Sequence, residues 1–219
     1  TGRLVRELGG KAAKVDVCFD PSGRRLAAAL QDQSIEVWDV DSGALVSRLR
    51  GHGGSIRAIE FDATGEIVVS SATDLQVAAT DLGTGRRRWV YPGHTANVHC
   101  LARSPDGSRL VTGDWDGIVK VWDFETEDVR AFVITPKGSF RRLWAEHACL
   151  RLDGARLVTS TIWPSTQIWD PAAGRLVAEI ALVGRNGLVP ARPLCVAWLR
   201  GGRCVAAGLP YGWLAVQDP

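Results

Sequence analysis

The chain has 219 residues, of which 46% are hydrophobic and 23% charged, with a formal net charge of +2. This length suits one large domain or two small ones, and it allows burial of roughly 70% of the surface that an unfolded chain exposes. So small a charge makes no electrostatic case for nucleic acid or a membrane surface, and no apolar run approaches the roughly 18 residues that span a bilayer.

Residues 1–8, TGRLVREL, do not open a repeat unit; they match GRLVAEI at 174–180, a stretch that follows an acidic turn. The first unit then runs from the apolar VDVCF through a turn closing at Gly23 and a strand opening at Leu26. A second strand ends at Trp38-Asp39, and ALVSRL follows. The second unit opens with Gly51-His52 and IRAIEF, turns at Gly65, resumes at Val68 and ends at Thr80-Asp81. The third repeats this with Gly93-His94, VHCLA, Gly107, Leu110 and Trp122-Asp123. The fourth has Gly154, Leu157, Trp169-Asp170 and RLVAEI; the fifth has LCVAWL, Gly202, Val205 and Gln217-Asp218.

The five turn glycines are separated by 42, 42, 47 and 48 residues, and each closing Asp lies 16 residues after its glycine. Two residues before each Asp stands Val37, Ala79, Val121, Ile168 or Val216. Four before it stands Ile35, Val77, Val119, Thr166 or Leu214. Alternate side chains share one face of a strand, so this spacing predicts a half-buried strand before each Asp. With the flanking apolar stretches, each unit holds four short strands. One such sheet has two faces to bury and stacks on its neighbours, so the expected fold is all-β.

Cys18, Cys100, Cys149, Cys195 and Cys204 sit in apolar runs without a CxxC pair, which predicts small buried thiols in a reducing compartment. The densest cationic run, Arg86-Arg87-Arg88, is expected on a solvated strand edge, where charge blocks unwanted pairing.

Repeat length, the closing Trp-Asp and the upstream Gly-His together resemble the WD-repeat family over nearly the whole chain. The resemblance implies a β-propeller with five WD-type four-stranded blades, either a closed five-blade ring or five blades of a larger propeller. The blades fall at approximately 9–50, 51–92, 93–135, 140–182 and 188–219, with 1–8 as the outer strand of the last or a preceding blade. The whole chain, 1–219, is then a single domain. In that family a His, a Ser or Thr, an Asp and the Trp tie each blade together. The third blade carries all four as His94, Thr112, Asp116 and Trp122. The second has His52, Ser70 and Asp74, with Thr80 in place of Trp. The first has Gly10 and Ala28 in the His and hydroxyl places, keeping Asp32 and Trp38. The fourth has Arg141 for His and Trp163 for Asp, and the fifth has Tyr211 and Gln217 for Asp and Trp. Linked in this way, a buried imidazole, hydroxyl and carboxylate satisfy one another, whereas each alone would be costly.

No nucleophile–base–orienter set stands out, and a lone His-Cys neighbourhood such as His99-Cys100 or His147 near Cys149 falls short of the four donors of a zinc site. No catalytic, cofactor-binding or metal residue is expected, and no enzyme. The resemblance places partner recognition on the loops at one end of the propeller, where an aromatic group collects. Trp115, Trp144, Trp163, Tyr211 and Trp213, rimmed by Arg141, Arg142 and Arg185, are the partner-binding candidates. Trp and Tyr dominate binding energy at many interfaces, although Trp163 and Tyr211 also suit filling of the blade interior. The expected function is a non-catalytic protein-interaction scaffold or sensor module with a protein partner, not nucleic acid or membrane, in the cytoplasm. The alternatives are a purely architectural or oligomerisation repeat domain of a larger protein and, remotely, a propeller hydrolase.

Overall fold

The computed structural model of the chain describes residues 4, 7–8, 14–91, 93–104, 106–123, 129–133, 145–151, 153–161, 165–181, 193, 195–199, 204–209 and 213–217. Nineteen strands are present among them, and the described residues contain no helix. The chain divides into two compact units, Thr1–Val98 and His99–Pro219.

The first unit holds two antiparallel four-stranded sheets. One is β1 (Lys14–Phe19), β2 (Arg25–Leu30), β3 (Ile35–Asp39) and β4 (Leu45–Leu49); the other is β5 (Ile56–Phe61), β6 (Ile67–Ala72), β7 (Val77–Asp81) and β8 (Arg87–Tyr91). Both are meanders in which each strand pairs with the next in sequence. The second unit repeats the form with β9 (Val98–Arg103), β10 (Arg109–Asp114), β11 (Ile118–Asp123) and β12 (Val129–Val133). Next come β13 (Ala145–Leu150), β14 (Leu157–Thr161), β15 (Ser165–Asp170) and β16 (Arg175–Ala181). A last sheet contains β17 (Cys195–Leu199), β18 (Cys204–Leu209) and β19 (Trp213–Gln217). The described residues of the first eight, Leu4, Glu7 and Leu8, lie in no strand, and Leu4 is exposed.

Turn chemistry explains the constant spacing. Gly23, Gly65, Gly107 and Gly154 have φ between +65° and +77° in the turns joining first and second strands. Glycine enters this left-handed region without a Cβ penalty. Ahead of two of them a carboxylate holds the turn: Asp20 Oδ1 accepts from Arg25 N at 2.8 Å, and Asp62 Oδ1 accepts from Ile67 N at 3.0 Å. The closing Asp does the same one turn later. Asp39 accepts from Ser42 N at 2.7 Å, Asp81 from Thr84 N at 2.9 Å, and Asp170 from Ala173 N at 3.0 Å. The Ser42 hydroxyl and amide at Asp39, the Thr84 amide and hydroxyl at Asp81 and the Ala173 amide at Asp170 hold all three carboxyls below the ordinary aspartate value.

Within each unit, successive sheets bury apolar faces against one another. In the first unit Ala27, Ala29, Ile35, Val37 and Leu49 of one sheet meet Ile59, Phe61 and Val68 of the next. Asp16 adds a polar tie across this seam, accepting from Ile59 N at 2.9 Å. In the second unit Cys100, Val111, Val119 and Val121 pack with Leu150, Leu157 and Trp169. The following seam joins Val158 and Ile168 to Val196, Trp198 and Val205, and Trp198 Nε1 donates across it to Cys149 O at 3.1 Å.

The thiols only partly fit the expectation. Cys100 and Cys204 are buried and Cys18 and Cys149 half-buried, but Cys195 is exposed because β17 turns it away from the sheet that Val196 and Trp198 cover. The arginine run needs a similar correction. It does lie at an edge strand, with Arg86 and Arg88 exposed, yet Arg87 is half-buried. Arg87 pairs in register with Thr80, so its side chain shares the inward face of that residue.

Candidate functional site

In the first two sheets the first-to-second and third-to-fourth strand turns meet at one end; Val40 N donates to Arg24 O and Leu82 N to Glu66 O. At the other end of the second sheet, the loop leading into the first strand meets the second-to-third turn. In the second sheet Thr73 N donates to Ser55 O at 3.0 Å, and Ser55 N to Thr73 Oγ1 at 2.9 Å. Gly54 fits there because a Cβ would lie 2.7 Å from Asp74 N.

This second end carries the polar network of the second sheet. Asp74 can only accept, so His52 Nδ1 donates to it, at 3.0 Å to Oδ2. The opposite ring nitrogen, Nε2, lies 2.8 Å from Ser70 Oγ and accepts its proton in the neutral ring. Asp74 also accepts from Gly53 N at 2.9 Å and Gln76 N at 3.2 Å. Burial pushes the His52 pKa down and outweighs the pull of Asp74, with the Arg87 charge adding to the downward side. Burial alone would raise Asp74, but the His52 ring and the two amides prevail and hold its carboxyl below the ordinary value. The set is therefore a neutral imidazole bridging a hydroxyl to a carboxylate, an arrangement that locks loop to sheet.

In the third sheet Trp122 Nε1 donates to Thr112 Oγ1 at 2.9 Å, and both residues are buried. Lys120 Nζ lies 5.4 Å from the centre of the Trp122 ring, on its face. The second-to-third turn here is held by Asp114, fully buried, which accepts from Asp116 N and Ile118 N at 2.9 Å each. Asp114 was not singled out in the sequence, although it stands directly before the Trp115–Asp116 turn; Asp116, the expected network carboxylate, is half-buried. His94 is buried and belongs to the first unit. In the fourth sheet Trp169 Nε1 donates to Thr159 Oγ1 at 3.1 Å. In the first sheet Ala28 stands where the hydroxyl would be, and Trp38 Nε1 is buried with no hydrogen-bond partner among the described residues.

Of the aromatic candidates, Trp115 is described in full. It lies half-buried in the β10–β11 turn and stacks on His99 of β9, with ring centroids 5.5 Å apart and planes 25° from parallel. Trp213 begins β19. Trp144, Trp163, Tyr211, Arg141, Arg142 and Arg185 lie outside the described residues. Among the described residues no group of three or more His, Cys, Asp or Glu is placed to hold a metal ion, and no helix is long and apolar enough to cross a membrane.

The sequence model of the WD40 family (WD domain, G-beta repeat) matches residues 2–39, 43–77 and 85–123, together just over half of the chain. The chain belongs to the WD40 repeat family. Two of these matched WD40 repeats end on Asp39 and Asp123, the closing aspartates of β3 and β11; the other stops at Val77, ahead of the Thr80 substitution.

The chain is similar to autophagy-related protein 16 of Arabidopsis thaliana, at 25% identity over 75% of this chain and 31% of that protein. It is also similar to pre-mRNA-processing factor 19 of Mus musculus, at 30% identity over 57% of this chain and 25% of that protein. A ribosome biogenesis protein WDR12 homolog of Drosophila persimilis matches at 27% identity, over 73% of this chain and 42% of its own length. The WD40 chain thus spans well under half the length of these relatives.

Proposed function

We propose that this WD40 chain is a non-catalytic protein-interaction scaffold. Its partner is a protein, bound at the sheet end where second-to-third turns meet the loops leading into first strands. The observation that carries this reading is the frame itself: sheets packed through apolar seams and turns fixed by carboxylate and imidazole hydrogen bonds. Loops on so rigid a frame display side chains without paying ordering entropy on binding. Trp115 supplies an aromatic anchor at that end, pre-oriented by its stack on His99. The relatives carry names from autophagy, pre-mRNA processing and ribosome biogenesis, processes with no chemistry in common, as suits a display platform.

The sheets are the blades of one propeller over residues 1–219, as five blades of a closed ring or of a longer array. Support comes from β1. Val17 and Phe19 are 51% and 59% exposed, whereas the residues 42 positions on, Ile59 and Phe61, are buried against the preceding sheet. One more sheet on that face would bury the row.

The binding role is tested by comparing proteins captured by the native chain and by Trp115→Ala, at equal melting temperature. Loss of specific captured proteins from the variant is expected; identical sets would remove the proposed face. A purely architectural role is favoured by the same exposed β1 row. It would appear as self-association in light scattering that Phe19→Ser abolishes.

A further inference from the structure

The seam between the first two sheets is not filled throughout. At its loop end lies a cavity of about 10 Å³, walled by Ile35 and Leu49 on one side and by His52, Ser70, Thr80 and Arg87 on the other. Its origin is the residue before the closing Asp. Thr80 stands where the fourth sheet has Trp169, and the missing indole leaves room that the Arg87 side chain only partly occupies. Gly51 permits this placement: a Cβ there would lie 3.0 Å from Arg87 Nε, and its φ of +143° suits glycine.

The guanidinium has one satisfied arm. Arg87 Nη1 donates to Gln76 Oε1 at 2.7 Å, while Nη2 is buried with no hydrogen-bond partner among the described residues. The nearby acceptors are already engaged. Asp74 is held by His52 and two amides, Ser70 serves the imidazole, and Asp32 is taken by Ser34 and by Arg50. Arg50 itself lines the cavity, with its charge paired to Asp32. The unpaired Arg87 Nη2 and the aliphatic wall of Ile35, Leu49 and Ile56 suit a small ligand that accepts and carries negative charge.

We propose that this cavity is a site for a single small anion, a chloride ion or one oxygen of a carboxylate, held by Arg87 Nη2. The site is independent of the loop end on which Trp115 stands, which lies in the other unit.

The direct test is the ³⁵Cl NMR line width of sodium chloride with the native chain, titrated with sodium formate. Excess broadening is expected, and its disappearance in Arg87→Gln would place the ion on that guanidinium. Formate that removes the broadening shows a carboxylate in the same site. If chloride gives no broadening, formate is followed by melting temperature: a rise in the native chain that is absent from Arg87→Gln supports the carboxylate source. Thr80→Leu, which fills the cavity and keeps the arginine, should abolish both signals, and it serves if Arg87→Gln does not fold. No chloride broadening together with equal formate responses in native and Thr80→Leu chains would overturn the proposal. Broadening that survives in both variants would do the same.

Discussion

Two seams in this molecule meet the same steric demand with different side chains. Between the third and fourth sheets, Trp169 fills the space before the closing Asp, and its indole N–H is spent on Thr159. Between the first and second, the equivalent Thr80 leaves a cavity, and Arg87 and the His52–Ser70–Asp74 chain occupy its surroundings. The first solution is dry and rests on packing. The second is polar and rests on every member having a partner, so it is sensitive to pH and to single deletions. The WD40 frame therefore tolerates loss of its Trp where a polar network takes over the anchoring of the loop.

The largest effect should come from emptying the dry seam. Trp169→Ala removes a 5%-exposed indole and strands the fully buried Thr159 hydroxyl, and should cost about 3–5 kcal/mol. Thr80→Ala deletes a much smaller side chain beside space already empty, and should cost under about 1.5 kcal/mol. Urea unfolding of both variants checks the contrast. Equal losses would mean that the two seams do not differ in what holds them.

The polar seam should fail in acid. His52 has a folded-state pKa below its ordinary 6.5, chiefly through burial. Below pH 6.5 the unfolded chain binds a proton at this site that the folded chain refuses. Its contribution is therefore complete above pH 6.5 and falls away as pH drops from there toward the lower folded value. His52→Ala at neutral pH should cost about 1.5–3 kcal/mol, because Asp74 loses its ring partner. His52→Gln should flatten the stability slope between pH 6.5 and 5. A slope unchanged by that substitution would show that the acid sensitivity arises elsewhere.

Much of this was written in the sequence because it depends on backbone conformation. A glycine with positive φ and a carboxylate that accepts turn amides recur at fixed distance, so Gly23 to Asp39 and Gly65 to Asp81 could be recognised without coordinates. The second-sheet residues His52, Ser70 and Asp74 were legible through the resemblance to the WD-repeat family, which implies a His, a hydroxyl and an Asp at those places. What stayed hidden depends on tertiary direction. Three consecutive arginines do not say which one turns inward; the pairing of Arg87 with Thr80 across β7 and β8 decides it. The stack of Trp115 on His99 joins a turn to a strand 16 positions earlier, and no local pattern encodes it. The Asp16 tie to Ile59 N likewise crosses between sheets. Cys195 was expected inside because its run is apolar, but alternate residues of β17 face opposite ways.

The smallest expected effect sharpens the comparison from a third position. Trp38 keeps the indole of the dry solution but lacks its acceptor, since Ala28 replaces the Thr112 and Thr159 of the later sheets. A buried N–H left unpaired costs free energy that an acceptor recovers, and a net hydrogen bond contributes about 0.5–1.5 kcal/mol. Ala28→Ser supplies that oxygen while adding one heavy atom at a fully buried site, so a gain of about 1 kcal/mol at most is expected, offset by any crowding. The gain should vanish in a Trp38→Phe background, because the ring remains while its donor is gone. A stabilisation that persists there would come from strand propensity or packing, and the indole–hydroxyl bond would then not be what distinguishes the dry seam.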